Sequence, residues 1–276
     1  MTVPTKENRM DHQSIRDQIG SIVSQHIPTN CHRFKFHIFG GVPQENSLGF
    51  RADPKPFDGQ VIATTVDALF IKVSRADFAV VDRSLVTLVP EIGAMVSVTP
   101  YWRRDFNGER LDKLKQEMHT DVDGTRYSVT RIMLGSERLL LPLPALQRQY
   151  LCDMREQIET LRVSDGFRTL ANLLVDSRAS DFQIVDPSPT NILKSPPEIS
   201  CAVQTNKFVG RFALIYDRPM DLYIIELRDG PNVVCRKEDI DTFSLPEIIE
   251  DLIDDGQWRF IKIELVKPAK SVRATA

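Results

Sequence analysis

The chain has 276 residues, of which 42% are hydrophobic and 26% are charged, and its formal net charge is −3 at pH 7. This composition is typical of soluble globular proteins and excludes the disordered and membrane-spanning classes. Because a net negative charge repels phosphate, any binding to nucleic acid would have to come from a local basic patch.

The cysteines and the N-terminal stretch indicate the compartment. Cys31, Cys152, Cys201 and Cys235 are scattered, without a Cys-x-x-Cys pair. This spacing argues against a zinc finger, a redox dithiol or a secreted disulfide framework. The sequence has no apolar signal segment and no run of about 18 apolar residues, so we expect a cytoplasmic protein.

The first predicted element is a helix within residues 1–30, preceded by a flexible tail. Asp11 is a suitable N-cap, and Ile15, Ile19 and Val23 recur on one helical face.

In residues 31–135 the apolar residues recur at every second position, which is the spacing of a β-strand. Short β-branched and aromatic runs, separated by Gly, Pro and Asp, read "RFKFHIF", "GQVIATT", "ALFIKVS", "FAVVDR" and "AMVSVTPYW". They predict a small antiparallel β-barrel of the SH3-like or OB-like kind, because short curling strands leave few open edges. A further hairpin follows, with Asp123-Gly124 as its turn.

Residues 142–178 are predicted to form a helical connector of two helices. Leu151, Met154 and Ile158 recur at helical spacing in the first of them, and the second covers about residues 165–178. A proline-rich stretch, residues 185–200, then indicates a linker or an extended strap.

Residues 179–276 are predicted to form a C-terminal α+β domain. Hairpin strands precede a helix from Ser244 to Gly256, where Glu247 stands in the capping-box position, and a last strand reads "WRFIKIELV". The predicted fold class is therefore α+β, with an N-terminal helix, a small antiparallel β-barrel, a helical middle and a C-terminal α+β unit.

The stretch "TPYWRRDFNG" is the candidate nucleic-acid contact. It holds Tyr101, Trp102, Arg103 and Arg104 directly after a predicted strand. Aromatic rings and arginines on a barrel face are how OB-like folds hold single strands. The surrounding residues 51–110 contain equal numbers of basic and acidic side chains, however, so the same stretch also fits a hairpin end that is paired within the protein.

The predicted C-terminal helix carries the candidate partner-binding surface. Its polar face is acidic, with residues Glu247, Glu250, Asp251, Asp254 and Asp255. Two of these carboxylates fall in the last turn, where the helix dipole disfavours anions. Carboxylates at an unfavourable helix end can mark a contact for a basic partner. The alternative interpretation is a helix face that is simply exposed to solvent.

A metal-dependent nuclease is the alternative enzyme hypothesis. Asp217, Glu226 and Arg228 lie where a nuclease of the PD-(D/E)xK type needs two carboxylates and a lysine. Arginine cannot replace that lysine, because its guanidinium does not release a proton.

Other chemistry-bearing motifs are missing from the sequence. It contains no P-loop, no Gly-x-Gly-x-x-Gly, no His-Glu-x-x-His and no Gly-x-Ser-x-Gly. We therefore assign no catalytic residue, no metal ligand and no cofactor.

One segment resembles a known family. The run "FDGQVIATTVDALFIKVSRADFAVVDRSLVTLVPEIGAMVSVTPYWRRDFNG" has an opening Gly-x-Val, a central Asp-Arg-Ser-Leu and a closing Pro-x-x-Gly-x-x-Val-x-Val. It resembles the small β domain of KfrB-like proteins, which are accessory proteins of plasmids and integrative elements. The resemblance covers about a fifth of the chain. It implies an accessory role in a mobile genetic element and no catalytic residues.

The sequence thus leads to one main hypothesis and two alternatives. The main one is a non-enzymatic accessory binding protein of a mobile element that contacts nucleic acid or a protein partner. The alternatives are the nuclease, and a structural oligomer or inhibitor that acts through the acidic helix.

Overall fold

The computed structural model describes residues 10–31, 33–131 and 137–269. The predicted flexible tail covers residues 1–10, of which residues 1–9 lie outside the described residues, whereas Met10 is described and buried. The end of the predicted hairpin beyond Arg131 also lies outside the described residues. The helices are α1 (His12–Val23), α2 (Gln149–Thr160), α3 (Leu170–Asp176) and α4 (Leu245–Ile253). The strands are β1 (Lys35–Phe39), β2 (Phe57–Thr64), β3 (Ala68–Lys72), β4 (Asp77–Asp82), β5 (Met95–Thr99), β6 (Lys115–Thr120), β7 (Arg126–Arg131), β8 (Ser180–Val185), β9 (Glu198–Gln204), β10 (Val209–Asp217), β11 (Leu222–Asp229), β12 (Asn232–Ile240) and β13 (Lys262–Lys267).

The chain divides into two compact units. The first unit consists of Met1–Trp102 together with Gly256–Ala276, and the second unit is Arg103–Asp255. The second unit is therefore inserted into the sequence of the first, between β5 and β13.

The first unit is built on a six-stranded sheet in the order β1-β4-β3-β2-β5-β13. β1 runs parallel to β4, and the other neighbours are antiparallel. One face packs against α1 through Ile15, Ile19 and Val23, and the opposite face forms a second apolar core. Because both faces are covered, β3 and β4 are buried along nearly their whole length.

The predicted N-terminal helix is confirmed as α1. The Asp11 carboxylate accepts a hydrogen bond from the Gln13 N–H at 3.0 Å, which satisfies one of the unpaired donors of the first turn.

The sheet of the first unit is strongly curled. The ring centroids of Phe39 on β1 and Phe57 on β2 are 5.0 Å apart, although two strands lie between β1 and β2 in the sheet. A flat sheet would hold these strands about 14 Å apart, at about 4.8 Å per strand.

The predicted small antiparallel β-barrel is wrong. The strand order has two ends, β1 and β13, and no ladder joins them, so the described sheet is an open, curled one. The strand predicted from "WRFIKIELV" explains part of the difference. It forms β13, which pairs with β5 of the first unit and not with the C-terminal strands.

The second unit is a helix-covered antiparallel sheet in the order β12-β11-β10-β9-β8. Alternate residues Ile199, Cys201 and Val203 of β9 face a core that also contains buried side chains of α2, α3 and α4. The opposite face carries charged side chains of β9, β11 and β12.

The predicted helical middle and the α+β fold class are also wrong. The described residues hold thirteen strands and four helices, so the protein is mostly β. The two helices predicted there are present as α2 and α3, but they do not form a separate connector. They contact each other and share one apolar core with the sheet of the second unit. The proline-rich stretch lies inside the same unit, where it connects β8 to the neighbouring β9.

β6 and β7 form a separate two-stranded hairpin within the second unit. The predicted turn is confirmed: Gly124 has φ +86° and donates its N–H to the Asp121 carbonyl at 2.9 Å. The side chains from Asp121 to Thr130 are exposed.

The predicted capping box of α4 is wrong. The Ser244 hydroxyl does not cap the helix; it donates to the Asp241 carboxylate at 2.7 Å, and Asp241 also accepts from the Ser244 N–H. These hydrogen bonds lower the pKa of Asp241, with the Ser244 hydroxyl contributing most. α4 ends at Ile253, three residues before the predicted Gly256.

Within the described chain, α-helices long and apolar enough to cross a membrane are absent.

Candidate functional site

A cavity of the first unit lies where the curled sheet stays open. It has a volume of about 520 Å³, in the range of small-molecule and peptide sites. One wall is the continuous segment Phe36–Gln44, and Ala52–Lys55 forms another. Pro100 and Tyr101, which follow β5, and Ile261, which precedes β13, complete the lining. We name this cavity the β1 groove.

The groove runs along the edge of β1 and not along one of its faces. Alternate side chains of a strand point to opposite faces, so a face would contribute every second residue. Here every residue from Phe36 to Gln44 lines the cavity. The exposed main chain of β1 is therefore part of the wall.

The outward main-chain groups of β1 belong to Phe36 and Ile38. The Lys35 N–H donates to the Ala76 carbonyl at 2.9 Å, so Lys35, His37 and Phe39 direct their N–H groups toward β4. Phe36 and Ile38 direct theirs away from it. In the part of the chain that the structure describes, these outward groups have no hydrogen-bond partner.

The side chains around the groove are largely aromatic and apolar, with a few polar groups. Tyr101 is buried, and its ring stands edge-to-face on the Trp258 ring at 4.8 Å. Asp53 is buried, whereas His37 is largely exposed, at 68%, with Nε2 4.0 Å from the Asp77 carboxylate. Lys55 is exposed at the rim. Such a lining suits an apolar ligand that is oriented by few polar contacts.

β1 differs from the other edge strands of the two larger sheets. The pairings of β8, β12 and β13 each contain a register shift, which bends an edge away from further pairing. β1 pairs with β4 through five consecutive residues without a shift. Among these four edges, β1 is therefore the regular one.

The predicted nucleic-acid contact is divided between the two units. Tyr101 and Trp102 close the first unit, where Tyr101 is buried and Trp102 half-buried, and Arg103 and Arg104 open the second. The predicted turn that follows them is present, with Gly108 at φ +86°.

Both arginines are engaged inside the second unit. The Arg103 guanidinium lies 4.0 Å from the centre of the Phe167 ring and donates to the Phe167 carbonyl at 3.2 Å. Arg104 donates to the Asp176 carboxylate at 3.5 Å. Of the four predicted residues, only Tyr101 lines the groove.

The acidic helix is only partly a solvated face. Glu250 accepts hydrogen bonds from the Ser164 hydroxyl at 2.7 Å and N–H at 3.1 Å, and Asp255 accepts from the Asn206 N–H at 2.8 Å. Asp254 is paired with Arg168. Glu247 and Asp251 are the exposed members of the predicted set.

Arg168 explains why carboxylates stand at this unfavourable helix end. Its side chain is fully buried, and its guanidinium contacts Asp165 at 2.8 Å, Asp176 at 2.9 Å and Asp254. A buried guanidinium needs hydrogen-bonded counterions, and this need outweighs the few tenths of a kcal/mol lost to the helix dipole. Sequence reasoning missed Arg168, because nothing around "DGFRTL" distinguishes a buried arginine from an exposed one.

The nuclease residues are not brought together. Asp217 pairs with Leu222 and Glu226 with Ala213. The two carboxylates are therefore four positions apart along β10, which is about 13 Å of strand. Both oxygens of Glu226 accept hydrogen bonds, one from Arg228 at 2.7 Å and the other from Arg236. Glu198 and then Glu226 raise the pKa of Arg228, which keeps it a cation.

The remaining reactive groups give no catalytic arrangement. Burial raises the pKa of the Cys201 thiol to about 12, so this thiol stays protonated and a poor nucleophile. All four cysteines are unpaired. Over residues 10–31, 33–131 and 137–269, no group of three or more His, Cys, Asp or Glu side chains is placed to hold a metal ion.

Comparison with known proteins gives no match to a protein-family model, a curated protein or a solved structure.

Proposed function

We propose that this protein is a non-enzymatic binding protein that holds an extended protein segment in the β1 groove. The segment adds to the sheet as a strand beside β1. The observation that carries the proposal is the groove itself, which runs along a regular sheet edge whose outward main-chain groups at Phe36 and Ile38 have no partner among the described residues.

The chemistry of strand addition fits this groove. The outward N–H and C=O groups of Phe36 and Ile38 are about 7 Å apart along the strand, the repeat at which a neighbouring strand offers its own groups. Each main-chain hydrogen bond contributes about 1 kcal/mol net, so these bonds orient the segment. Most of the affinity would come from an apolar side chain buried against Phe39 and Tyr101.

A protein ligand accounts for the groove better than a nucleic acid does. Nucleic acid requires several cations along one surface. The two arginines predicted for that contact are engaged with Phe167 and Asp176, and the lining of the β1 groove holds one lysine and no arginine. The resemblance to KfrB-like domains supports the further proposal that this binding serves an accessory role in a mobile genetic element.

The proposal is tested by selecting ligands and locating them on the main chain. A display library of random peptides of about ten residues is panned against the full chain, and the selected peptides are added to labelled protein. Amide hydrogen exchange, read by NMR, is expected to slow by about tenfold or more at Phe36 and Ile38. The amides of His37 and Phe39, already bonded to β4, serve as internal controls.

Two outcomes contradict the proposal. One is a selection that yields no peptide. The other is a bound peptide that slows exchange elsewhere and leaves the amides of Phe36 and Ile38 unchanged.

A further inference from the structure

A second cavity adjoins the β1 groove on the far side of one short segment. It has a volume of about 540 Å³ and is lined by residues of α1 and of the loop after β1. Val42, Pro43 and Gln44 line both cavities, so they form a shared wall. We name this second space the basic cavity.

Two residues of α1 give the basic cavity its character. His12 and Arg16 are four residues apart, so they lie on the same helical face, and both line the cavity. The Gln44 side-chain amide contacts His12 Nδ1 at 3.0 Å, which ties α1 to the shared wall. On its other side, a Cβ atom added to Gly40 would stand 3.3 Å from His12 Nε2, so His12 lies against a residue that lines the β1 groove.

The charges lining the basic cavity are unequal. Arg51 faces Glu45, with Nε 4.0 Å from its carboxylate, and these two charges offset each other. Arg16 is exposed, and within the described residues no carboxylate lies at ion-pair distance from it. A local positive charge on a chain with net charge −3 marks this position as suited to an anionic group.

We propose that the segment bound in the β1 groove carries an Asp or Glu side chain that enters the basic cavity and pairs with Arg16. This inference rests on the proposed function and adds the chemistry of the ligand. The main chain of the bound segment pairs with β1, and one of its apolar side chains occupies the β1 groove. Its carboxylate extends beyond the shared wall Val42–Gln44 into the basic cavity. Guanidinium and carboxylate form charge-assisted hydrogen bonds, which favour this residue type over a neutral amide.

The experiment uses the selected peptides in a double-mutant cycle. Each peptide is compared with its Asp→Asn or Glu→Gln counterpart, on the full chain and on its Arg16→Gln variant, by calorimetry at low and moderate salt. Arg16→Gln is expected to weaken the acidic peptide about tenfold and to leave the neutral counterpart within about twofold. The loss is expected to shrink at the higher salt concentration.

Arg218→Gln is the matched control, because Arg218 is an exposed arginine of the second unit far along the chain from α1. It is expected to change neither affinity. Equal thermal midpoints of the three proteins show that the variants are folded.

The two proposals fail in different ways. Selected peptides without enrichment in Asp or Glu, or equal losses for the acidic and the neutral peptide on Arg16→Gln, overturn the carboxylate site while the exchange result at Phe36 and Ile38 still supports strand addition. Unchanged exchange at those two amides overturns strand addition itself. A concentration-dependent doubling of mass with the same two amides protected identifies a second copy of this chain as the occupant and overturns the acidic peptide.

Discussion

Arg168 is a buried charged residue that connects three segments of the second unit. Its guanidinium is fully buried and contacts three carboxylates, which come from the turn before α3, from the end of α3 and from the residue after α4. Removing one partner of such a cluster leaves charge uncompensated in a low-dielectric interior, which is costlier than losing an exposed ion pair.

We therefore predict that Asp254→Asn lowers the free energy of unfolding by about 3 kcal/mol, whereas Asp251→Asn changes it by less than about 0.5 kcal/mol. Both residues belong to the predicted acidic surface, but Asp254 contacts Arg168 and Asp251 is exposed. Urea unfolding of the two variants and the parent chain measures the difference. Equal midpoints would show that the buried cluster does not stabilise the fold.

Among the strands and helices, two glycines have opposite roles. Gly59 lies in β2, where a Cβ atom would stand 2.5 Å from Ile71 Cγ2 and 2.7 Å from the Lys72 carbonyl oxygen of β3. Gly20 lies in α1, and a Cβ atom there would have no neighbour within 4 Å. The first glycine permits two strands to approach, and the second only weakens its helix.

Gly59→Ala is accordingly expected to destabilise the first unit by about 1–3 kcal/mol, and Gly20→Ala to stabilise it by about 0.5–1 kcal/mol. Differential scanning calorimetry of the two variants measures whether the unfolding temperature of the first unit falls for Gly59→Ala and rises for Gly20→Ala. A stabilising Gly59→Ala would mean that β2 and β3 can separate without cost.

Local patterns predicted individual elements more accurately than their partners. The spacing of Ile15, Ile19 and Val23 and the N-cap Asp11 predicted α1, and Asp123-Gly124 predicted the turn between β6 and β7. The alternation in "WRFIKIELV" predicted β13 but could not show that it pairs with β5, more than a hundred residues earlier. Strand alternation specifies a buried face, whereas the neighbouring strand is chosen by the complete fold.

The candidate site shows the same limit. The local composition singled out Tyr101. Its place in the groove, however, depends on β1 and on Ile261, which lie far from Tyr101 in the sequence. Arg16 belongs to none of the motifs found in the sequence. Its significance depends on α1 placing it beside the loop after β1, and no spacing rule within one segment predicts that.

For the chain as a whole, the inserted position of the second unit governs which fragments can fold. Val96 and Val98 of β5 share one apolar core with Ile261 and Ile263 around the start of β13. The second unit has a separate core, drawn entirely from residues between Arg103 and Asp255.

We predict that residues 103–255 produced alone unfold in one cooperative transition, whereas residues 1–102 alone do not. Joining residues 1–102 to 256–276 through a short glycine linker is expected to restore cooperative unfolding, because the Tyr101 and Trp258 rings, where the chain leaves and re-enters the first unit, are 4.8 Å apart. Circular dichroism during urea titration follows each fragment. Cooperative unfolding of residues 1–102 by themselves would contradict the need for β13.

The pairing of β5 with β13 also determines when the first unit can complete its fold during synthesis on the ribosome. Roughly 160 residues separate the two strands, and translation at about 5–20 residues per second takes roughly 10–30 s to cover them. Throughout that interval the nascent first unit exposes the edge of β5 and the apolar side chains that Ile261 and Ile263 will later cover. The part of the protein that leaves the ribosome first is therefore the last to complete its fold, and a nascent-chain chaperone would find its binding surface there.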